Sequence, residues 1–405
     1  MILEGAALFG CAYTINKLWN REKRDLKKLW KEIMVENNLV NEKGFTFNLA
    51  RIETAEYGFM LIVGIPAGFS YQELADKKDV LESSLKAVIE MEHDKISGWI
   101  KIKLVKKPLK NLKYEPIPTK PHELYLGYTY YKHVVVNMNT LPHLLIAGIN
   151  GSGKTRGLYC ILTTLFHNHS DNEIEVYLSQ VGKTDLLIYR DCSQVKGFSR
   201  TVEDSLTMYK SIYNEMKSRE QLIEGLMSRG ILNIETYNEK MKESLRYIYV
   251  VSDEFSLYMP DATDSKEEKQ KKEQCLDILK KLIKMGRAYG IFVIVCLQKT
   301  TNDQMPQLIK SQVNCKMTFK QTDVYSSRNV IDDDEALELK QREAIVIADS
   351  RYKIMTPYID DSLIRKALKG TMSYKGKQVT IKTTLKPYVG TIEDGFIRRV
   401  DNVNQ

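Results

Sequence analysis

The chain has 405 residues, more than one ordinary compact domain holds, and 43% of them are hydrophobic, which is enough for sizeable buried cores. Its 60 Lys and Arg residues against 52 Asp and Glu give a formal net charge of +8, a mild excess that allows a polyanionic partner without requiring one. Six widely spaced cysteines without a Cys-x-x-Cys pair argue against a disulfide framework and a zinc site, and they fit a reducing cytoplasm.

The N-terminal segment, residues 1–40, combines an apolar run with a basic helix pattern. The run GAALFGCAYTI (5–15) precedes a charged amphipathic pattern over 20–40. A membrane-spanning helix needs about 20 apolar residues, so the shorter run is interpreted either as a buried helix or as a partly inserted anchor. If it inserts, the basic flank holds the rest of the chain on the cytoplasmic, inner face of the cell membrane.

Residues 41–112 predict a small α+β module. Strand patterns at 58–66 and 98–105 flank a helical pattern near 71–92, and Gly64, Pro66 and Gly68 mark a turn. The prolines that follow, among them Pro116 and Pro118, predict an extended linker at 113–125.

From residue 126 to residue 360, strand and helix patterns alternate. This predicts an α/β domain with a mostly parallel sheet and helices on both faces. The strand patterns lie at 143–148, 174–178, 246–252, 291–297, 315–320 and 344–348, and the helical patterns at 153–168, 202–228, 233–243 and 270–288. The charge-dense run 261–274 is interpreted as an exposed insertion that leads into a helix, and 361–405 as a basic C-terminal extension.

One turn of this domain has the pattern G-x-x-x-x-G-K-[ST] between a predicted strand and a predicted helix. Its glycines allow backbone N–H groups to converge on phosphates at the positive end of the helix. Lys154 is expected to reach the β- and γ-phosphates of ATP, and Thr155 to hold Mg²⁺. The predicted ATP-binding residues are Gly148, Ile149, Asn150, Gly151, Ser152, Gly153, Lys154, Thr155 and Arg156.

An acidic pair follows a later hydrophobic strand pattern, RYIYVVSDEF (246–255). At the carboxyl end of a strand, Asp253 can hold Mg²⁺, and Glu254 can polarise the water that attacks the γ-phosphate. Gln298 ends the next strand pattern, where its amide either senses the γ-phosphate or caps the strand. A strand pattern intervenes between the loop and the acidic pair, an order typical of motor ATPases. We therefore predict ATP hydrolysis, with Lys154 and Glu254 as catalytic residues.

Six segments follow one another along the chain: LPHLLIAGINGSGKT, YNEMKSR (213–219), GILNIETYNEK (230–240), VVSDEFSLYM, KMGRAYGIFVIVCLQKT and SSRNVID (326–332). Together they resemble the FtsK/SpoIIIE family of DNA-pumping ATPases, over a region from about Leu126 to Ile359. The resemblance implies a RecA-like P-loop motor domain that follows the small module, uses ATP and Mg²⁺, and assembles into a homo-oligomeric ring, a hexamer, around DNA.

The resemblance also implies roles for single residues. Arg287 falls at the position of a catalytic arginine finger that reaches the ATP of a neighbouring subunit, and a surface salt bridge is the alternative. Gln298 falls at the sensor position, which implies that it is a further catalytic residue, and Arg328 is a second candidate interface arginine. The segment LSQVGKTDLL (178–187) departs from the family's Asp-Pro-Lys pattern, which leaves the roles of Lys183 and Asp185 open.

In size, the chain resembles the compact FtsK-like coupling proteins of Gram-positive conjugative plasmids and integrative elements. We therefore predict an ATP-driven DNA translocase that binds phosphates without reading sequence, with Lys310, Lys316 and the lysines of 183–196 as candidate contacts. The implied partners are a conjugation channel or membrane protein and a relaxase or other DNA-processing protein.

Two other interpretations compete with this prediction. The first is an ATPase of a protein-secretion system of the same superfamily, although such proteins carry two or three ATPase domains and this chain has one glycine loop. The second is a non-enzymatic DNA-binding adaptor, which is disfavoured because Lys154, Thr155, Asp253 and Glu254 are all present.

Overall fold

The computed structural model describes residues 21–107, 109, 111–301, 307–371, 390–393 and 396–399. The chain divides into two compact units, Met1–Lys110 and Asn111–Gln405. The apolar run 5–15 and most of the extension 361–405 lie outside the described residues. Within the described part of the chain, no helix combines the length and apolar character needed to cross a membrane.

The first unit is a four-stranded antiparallel sheet with helices packed against one face. Alternate strand residues such as Leu61 and Ile102 share a core with Trp30 of the first helix. The sheet order is β1-β2-β4-β3. The elements are α1 (21–36), β1 (Asn48–Ala55), β2 (Gly58–Gly64), α2 (Tyr71–Ala75), α3 (Lys78–Leu85), β3 (Val88–Asp94) and β4 (Trp99–Val105).

The predicted α+β module is confirmed, but the prediction of a helix near 71–92 is wrong for the C-terminal part of that range. Lys86 ends α3 in the left-handed conformation, with φ of 49°, and the chain reverses into β3. In β3, Ile89 is buried in the core, and the strand pairs antiparallel with β4. Strand β1 was not predicted, because its residues are mostly exposed and lack a clear apolar alternation.

The second unit contains a ten-stranded sheet in the order β6-β5-β14-β13-β12-β7-β11-β10-β8-β9. Its elements are β5 (Glu123–Tyr128), β6 (His133–Asn137), β7 (Leu144–Ala147), α4 (Lys154–Asn168), β8 (Ile174–Ser179), β9 (Val195–Ser199), α5 (Val202–Leu226), α6 (Ile234–Lys240), β10 (Tyr247–Ser252), α7 (Lys266–Met285), β11 (Ile291–Leu297), α8 (Gln307–Gln312), β12 (Cys315–Thr318), α9 (Val324–Ile331), β13 (Glu343–Ile347), β14 (Arg351–Met355) and α10 (Asp361–Ala367). A short antiparallel pair, β15 (Gly390–Glu393) and β16 (Phe396–Arg399), follows.

Six neighbouring strands of this sheet, from β12 to β9, run parallel and carry apolar residues on both faces. Side chains of α4 join one core and those of α5 and α7 join the other, so helices cover both faces. The predicted α/β P-loop fold is confirmed. Strands β5, β6, β13 and β14 add antiparallel pairs, so the sheet is mixed.

The charge-dense run 261–274 is partly helical. Helix α7 begins at Lys266, four residues before the predicted start, because the Ser265 side chain accepts a hydrogen bond from the backbone N–H of Glu268. Residues before Ser265 form a polar turn in which Lys272 Nζ donates to both carboxylate oxygens of Asp264, at 2.7 and 2.8 Å.

Candidate nucleotide site

Three predicted site segments meet at one edge of the parallel strands. The glycine loop follows β7, the acidic pair (Asp253 and Glu254) follows β10, and Gln298 follows β11. Because β7, β11 and β10 are adjacent and parallel, their carboxyl ends lie side by side. This is the position at which open α/β sheets bind ligands.

The glycine loop is held in shape by its own backbone and by neighbouring strands. The Gly148 N–H donates to the Leu297 carbonyl at 3.1 Å, and the Ser152 hydroxyl donates to the Ile149 carbonyl at 2.7 Å. Gly153 has φ of +113°, and a Cβ there would lie 2.9 Å from the backbone of Arg342. Any other residue at this position would have both an unfavourable backbone conformation and a steric clash with Arg342, which explains the glycine before Lys154.

The residues that follow the loop lie in the first turn of α4. Lys154 is 5% exposed, and its Nζ lies 3.7 Å from Glu254 Oε2 without a hydrogen-bond partner among the described residues. Thr155 is half-buried beside it. Arg156 places its guanidinium over the Tyr159 ring, 5.5 Å from the centroid. In the loop itself, Asn150 and Gly151 are exposed.

The acidic pair is buried next to these groups. Asp253 is 3% exposed, and within the described structure its Oδ2 atom has no hydrogen-bond partner. Burial raises the pKa of Asp253, and the Lys183 and Lys154 ammonium groups offset part of that rise. A buried ammonium and a buried carboxylate oxygen without hydrogen bonds are costly, unless a ligand satisfies both. The residues present therefore fit a phosphate group together with a divalent cation.

Glu254 bridges the ends of β10 and β11. Its Oε1 atom accepts hydrogen bonds from the Ser256 hydroxyl at 2.7 Å and from the Gln298 backbone N–H at 3.4 Å. The structure thus brings Gln298 to the acidic pair through its backbone, and the sensor role of its side chain stays a prediction.

Lys183, whose role the sequence left open, belongs to this cluster. Its Nζ donates to Glu254 Oε2 at 3.1 Å and lies 3.6 Å from Asp253 Oδ2. Burial alone would lower the pKa of Lys183, but the two carboxylates outweigh that effect and raise it. Asp185 begins a single 3₁₀ turn, Asp185–Tyr189, and its carbonyl accepts a hydrogen bond from Tyr159. Sequence spacing offers no signal for the Lys183–Glu254 contact, which joins residues 71 positions apart.

Arg287 does not join this cluster. It lies in the turn Gly286–Tyr289 at the amino end of β11, whereas Gln298 follows the carboxyl end of the same strand. Seven strand residues separate the two ends by roughly 20 Å. Arg287 is exposed, and its Nε donates to the Asn139 carbonyl at 2.6 Å. Arg328, in α9, is also exposed, and its Nη2 lies 4.0 Å from Asp334 Oδ2.

The turn that carries Arg287 is anchored by Arg219, a buried residue of α5 to which the sequence analysis gave no role. Arg219 Nη1 donates to the carbonyls of Arg246 and Tyr289, both at 2.8 Å, and its Nε donates to Glu215 Oε1 at 2.9 Å. The only sequence signal is the spacing of Glu215 and Arg219, which places them on one face of a helix. The contact with Tyr289 ties α5 to the 3₁₀ turn.

We expect Arg219→Ala to lower the free energy of unfolding by about 3 kcal/mol, because it leaves the Glu215 carboxylate buried without its partner and two carbonyls unpaired. Urea unfolding followed by circular dichroism measures the change. Lys217→Ala serves as the control, because its ion pair with Glu220 is exposed, with side chains 44% and 25% accessible, and contributes little. Equal unfolding midpoints for the two variants would contradict this description of the anchor.

A glycine loop at the start of α4, facing a buried acidic pair at the carboxyl edge of parallel strands, defines a P-loop ATPase domain. Residues 123–302 match the FtsK/SpoIIIE family, so the chain carries an FtsK/SpoIIIE domain. The resemblance noted in the sequence is thereby confirmed.

The chain is similar to a named DNA translocase in sequence and to a solved coupling protein in structure. The DNA translocase FtsK of Chlorobaculum tepidum is 27% identical over 241 residues, which are 56% of this chain and 28% of that protein. The chain therefore spans little more than a quarter of the length of this relative. The solved structure of the pCW3 conjugation coupling protein TcpA, in its monomer form with ATPγS, has a TM-score of 0.60 and 21% identity over 85% of this chain and 98% of that chain.

A second solved structure is of a different kind. EssC (ATPases 2 and 3) from Geobacillus thermodenitrificans has a TM-score of 0.55 and 18% identity, and the match covers 65% of this chain and 50% of that chain. At such identities the two structural matches show a shared fold.

Proposed function

We propose that this chain is an ATP-driven DNA translocase. The observation that carries the proposal is the convergence of Lys154, Asp253 and Glu254 at the carboxyl edge of the sheet, where an ammonium and a carboxylate oxygen have no hydrogen-bond partner among the described residues. The FtsK/SpoIIIE domain supports DNA as the substrate, because the relative from Chlorobaculum tepidum is a DNA translocase by name.

Each group of the site has a separate task in this proposal. The loop N–H groups and the start of α4 bind the phosphates, and Lys154 neutralises charge on the β- and γ-phosphates. Thr155 and Asp253 would hold Mg²⁺, which would supply positive charge to offset that of the phosphates. Glu254 accepts a proton from the attacking water, and its contacts with Ser256 and Gln298 fix the carboxylate in place.

Glu254→Gln is expected to bind ATP with nearly wild-type affinity and to hydrolyse it about 10²-fold more slowly, because the amide cannot accept the proton of the water. Equilibrium binding of a fluorescent ATP analogue and a phosphate-release assay measure the two quantities separately. A parallel loss of binding and turnover would show that Glu254 supports the phosphate site instead of activating water.

A ring of subunits completes the proposal. Arg287 is exposed and lies about one strand length from the glycine loop of its own subunit. This position suits an arginine finger that acts on the ATP of a neighbouring subunit, so we infer a homo-oligomer, with a hexamer as the expected form.

DNA would pass through the ring and be held by its phosphates. Of the candidate contacts, Lys316 lies inside β12, where burial lowers its pKa. Lys310 of α8 is the better candidate.

Within the translocases, we propose the role of a coupling protein for conjugative transfer, working with a membrane or channel protein and a relaxase or other DNA-processing partner. The TcpA match supports this role, because the match covers nearly all of that chain and most of this one.

The second candidate is a protein-secretion ATPase, which the EssC match favours. That match covers half of the EssC chain, which holds two ATPases.

The ATPase rate with and without linear double-stranded DNA tests the proposal. We expect the rate to rise severalfold with DNA, and the stimulation to weaken steeply with added salt because phosphate contacts release counterions. Lys154→Ala provides the background rate. A wild-type rate that exceeds this background but ignores DNA would favour the secretion ATPase.

A further inference from the structure

Lys183 stands where the acidic pair would receive a divalent cation. Its Nζ lies 3.1 Å from Glu254 Oε2 and 3.6 Å from Asp253 Oδ2, the oxygen that has no hydrogen-bond partner in the described part of the chain. Lys154 Nζ approaches the same Glu254 oxygen at 3.7 Å. Two ammonium groups therefore lie beside two carboxylates, so that the formal charges of the four side chains balance.

The backbone around Lys183 fixes this arrangement. The Gln180 N–H donates to the Ser199 carbonyl at 2.9 Å, and the Gln180 side chain accepts from the Leu186 N–H at 3.0 Å. Gly182 adopts the left-handed conformation, with φ of +69°, so the chain turns there and presents Lys183 at the tip of a short loop. The Lys183 side chain is 24% exposed, which leaves it room to move away from the acidic pair.

A cation bound to Asp253 would come within a few ångströms of the Lys183 ammonium. Two like charges at such a distance repel strongly in a site with little water. The metal and Lys183 therefore compete for the space beside the Asp253 oxygen, and occupancy by one weakens occupancy by the other.

We propose that Lys183 is a resident counter-ion of the acidic pair that competes with Mg²⁺, so that it sets how strongly nucleotide binding depends on the metal. The inference rests on the proposed ATP site. In the metal-free protein Lys183 neutralises carboxylates that would repel the phosphates, and in the metal-loaded protein it opposes the metal. Both effects reduce the advantage that Mg²⁺ gives to nucleotide binding.

The ratio of two dissociation constants isolates this effect. The Kd of a fluorescent ATPγS analogue is measured in excess EDTA and in excess Mg²⁺, and the first is divided by the second. We expect Lys183→Met to raise this ratio about tenfold, because binding weakens without the metal and strengthens with it. Lys183→Arg, which keeps the charge, should leave the ratio near its wild-type value.

Lys271→Met is a matched control. Lys271 also contacts two carboxylates, Glu203 at 3.2 Å and Glu267 at 2.7 Å, and its side chain is 27% exposed, but neither partner belongs to the nucleotide site. Its substitution should leave the ratio unchanged. Because the ratio compares two states of one protein, a partial loss of folded material in any variant cancels.

Three results would overturn the inference. An unchanged ratio in Lys183→Met means that Lys183 does not compete with the metal. A lower ratio, with binding lost mainly in Mg²⁺, means that Lys183 is a phosphate ligand instead. A wild-type protein that binds no nucleotide overturns the proposed function as well, and so is distinguished from the first two results, in which nucleotide binding by the wild type is intact.

Discussion

Arg287→Ala is expected to bind ATP normally and to hydrolyse it about 10³-fold more slowly, the smallest loss typical of a missing arginine finger. A guanidinium always carries its charge and can make paired hydrogen bonds to phosphate oxygens, which suits the charge that develops during hydrolysis. The position of Arg287, at the opposite end of β11 from Gln298, prevents it from serving its own site. Phosphate release measures the rate.

Mixing two inactive variants separates a role in a neighbouring subunit from local damage. Arg287→Ala subunits keep an intact glycine loop, and Lys154→Ala subunits keep an intact Arg287. In a mixed ring some interfaces combine the intact loop of one variant with the intact arginine of the other, so activity should reappear. If subunit exchange is confirmed and the mixture stays as inactive as its parents, the assignment of Arg287 is wrong.

Lys154→Ala is expected to abolish measurable ATP turnover. Its ammonium is buried and has no hydrogen-bond partner within the described structure. No other side chain of the glycine loop carries a positive charge that could neutralise the β- and γ-phosphates. The variant should also bind the ATP analogue more weakly, which distinguishes it from Glu254→Gln. The fold should survive, because the substitution removes a charge that has no hydrogen bond among the described residues.

Thermal unfolding of the Lys154→Ala protein provides the control. A melting temperature close to the wild-type value shows that loss of turnover is a loss of chemistry. Retained turnover in a folded Lys154→Ala protein would mean that the glycine loop is not the site of hydrolysis.

The sequence predicts the central strands well, because each is a continuous apolar run. The pattern at 291–297 coincides with β11, and the patterns at 174–178 and 246–252 differ from β8 and β10 by one residue at one end. Strand β9 was missed because it is five residues long and contains Gly197, which packs against Tyr177 and Met208. Strand β14 was missed because Arg351 and Lys353 interrupt its apolar pattern.

In the site, too, the features that depend on adjacent residues are predictable and the contacts between distant residues are not. The glycine loop and the acidic pair are predictable because each is a contiguous motif that follows a strand. The contacts of Lys183 with Glu254 and of Arg219 with Tyr289 join residues 71 and 70 positions apart. The order of the strands creates these contacts, because it brings β8 beside β10 and places α5 against the turn before β11. No local sequence pattern predicts them.

Movement along DNA is tested most directly by displacement of a third strand. A triplex-forming oligonucleotide is bound at increasing distances from one end of a linear duplex, and its release is followed after ATP is added. We predict release that requires ATP, fails with Lys154→Ala, and shows a delay that grows in proportion to the distance. Release that never exceeds the level seen without ATP, by a protein that hydrolyses ATP, would contradict translocation.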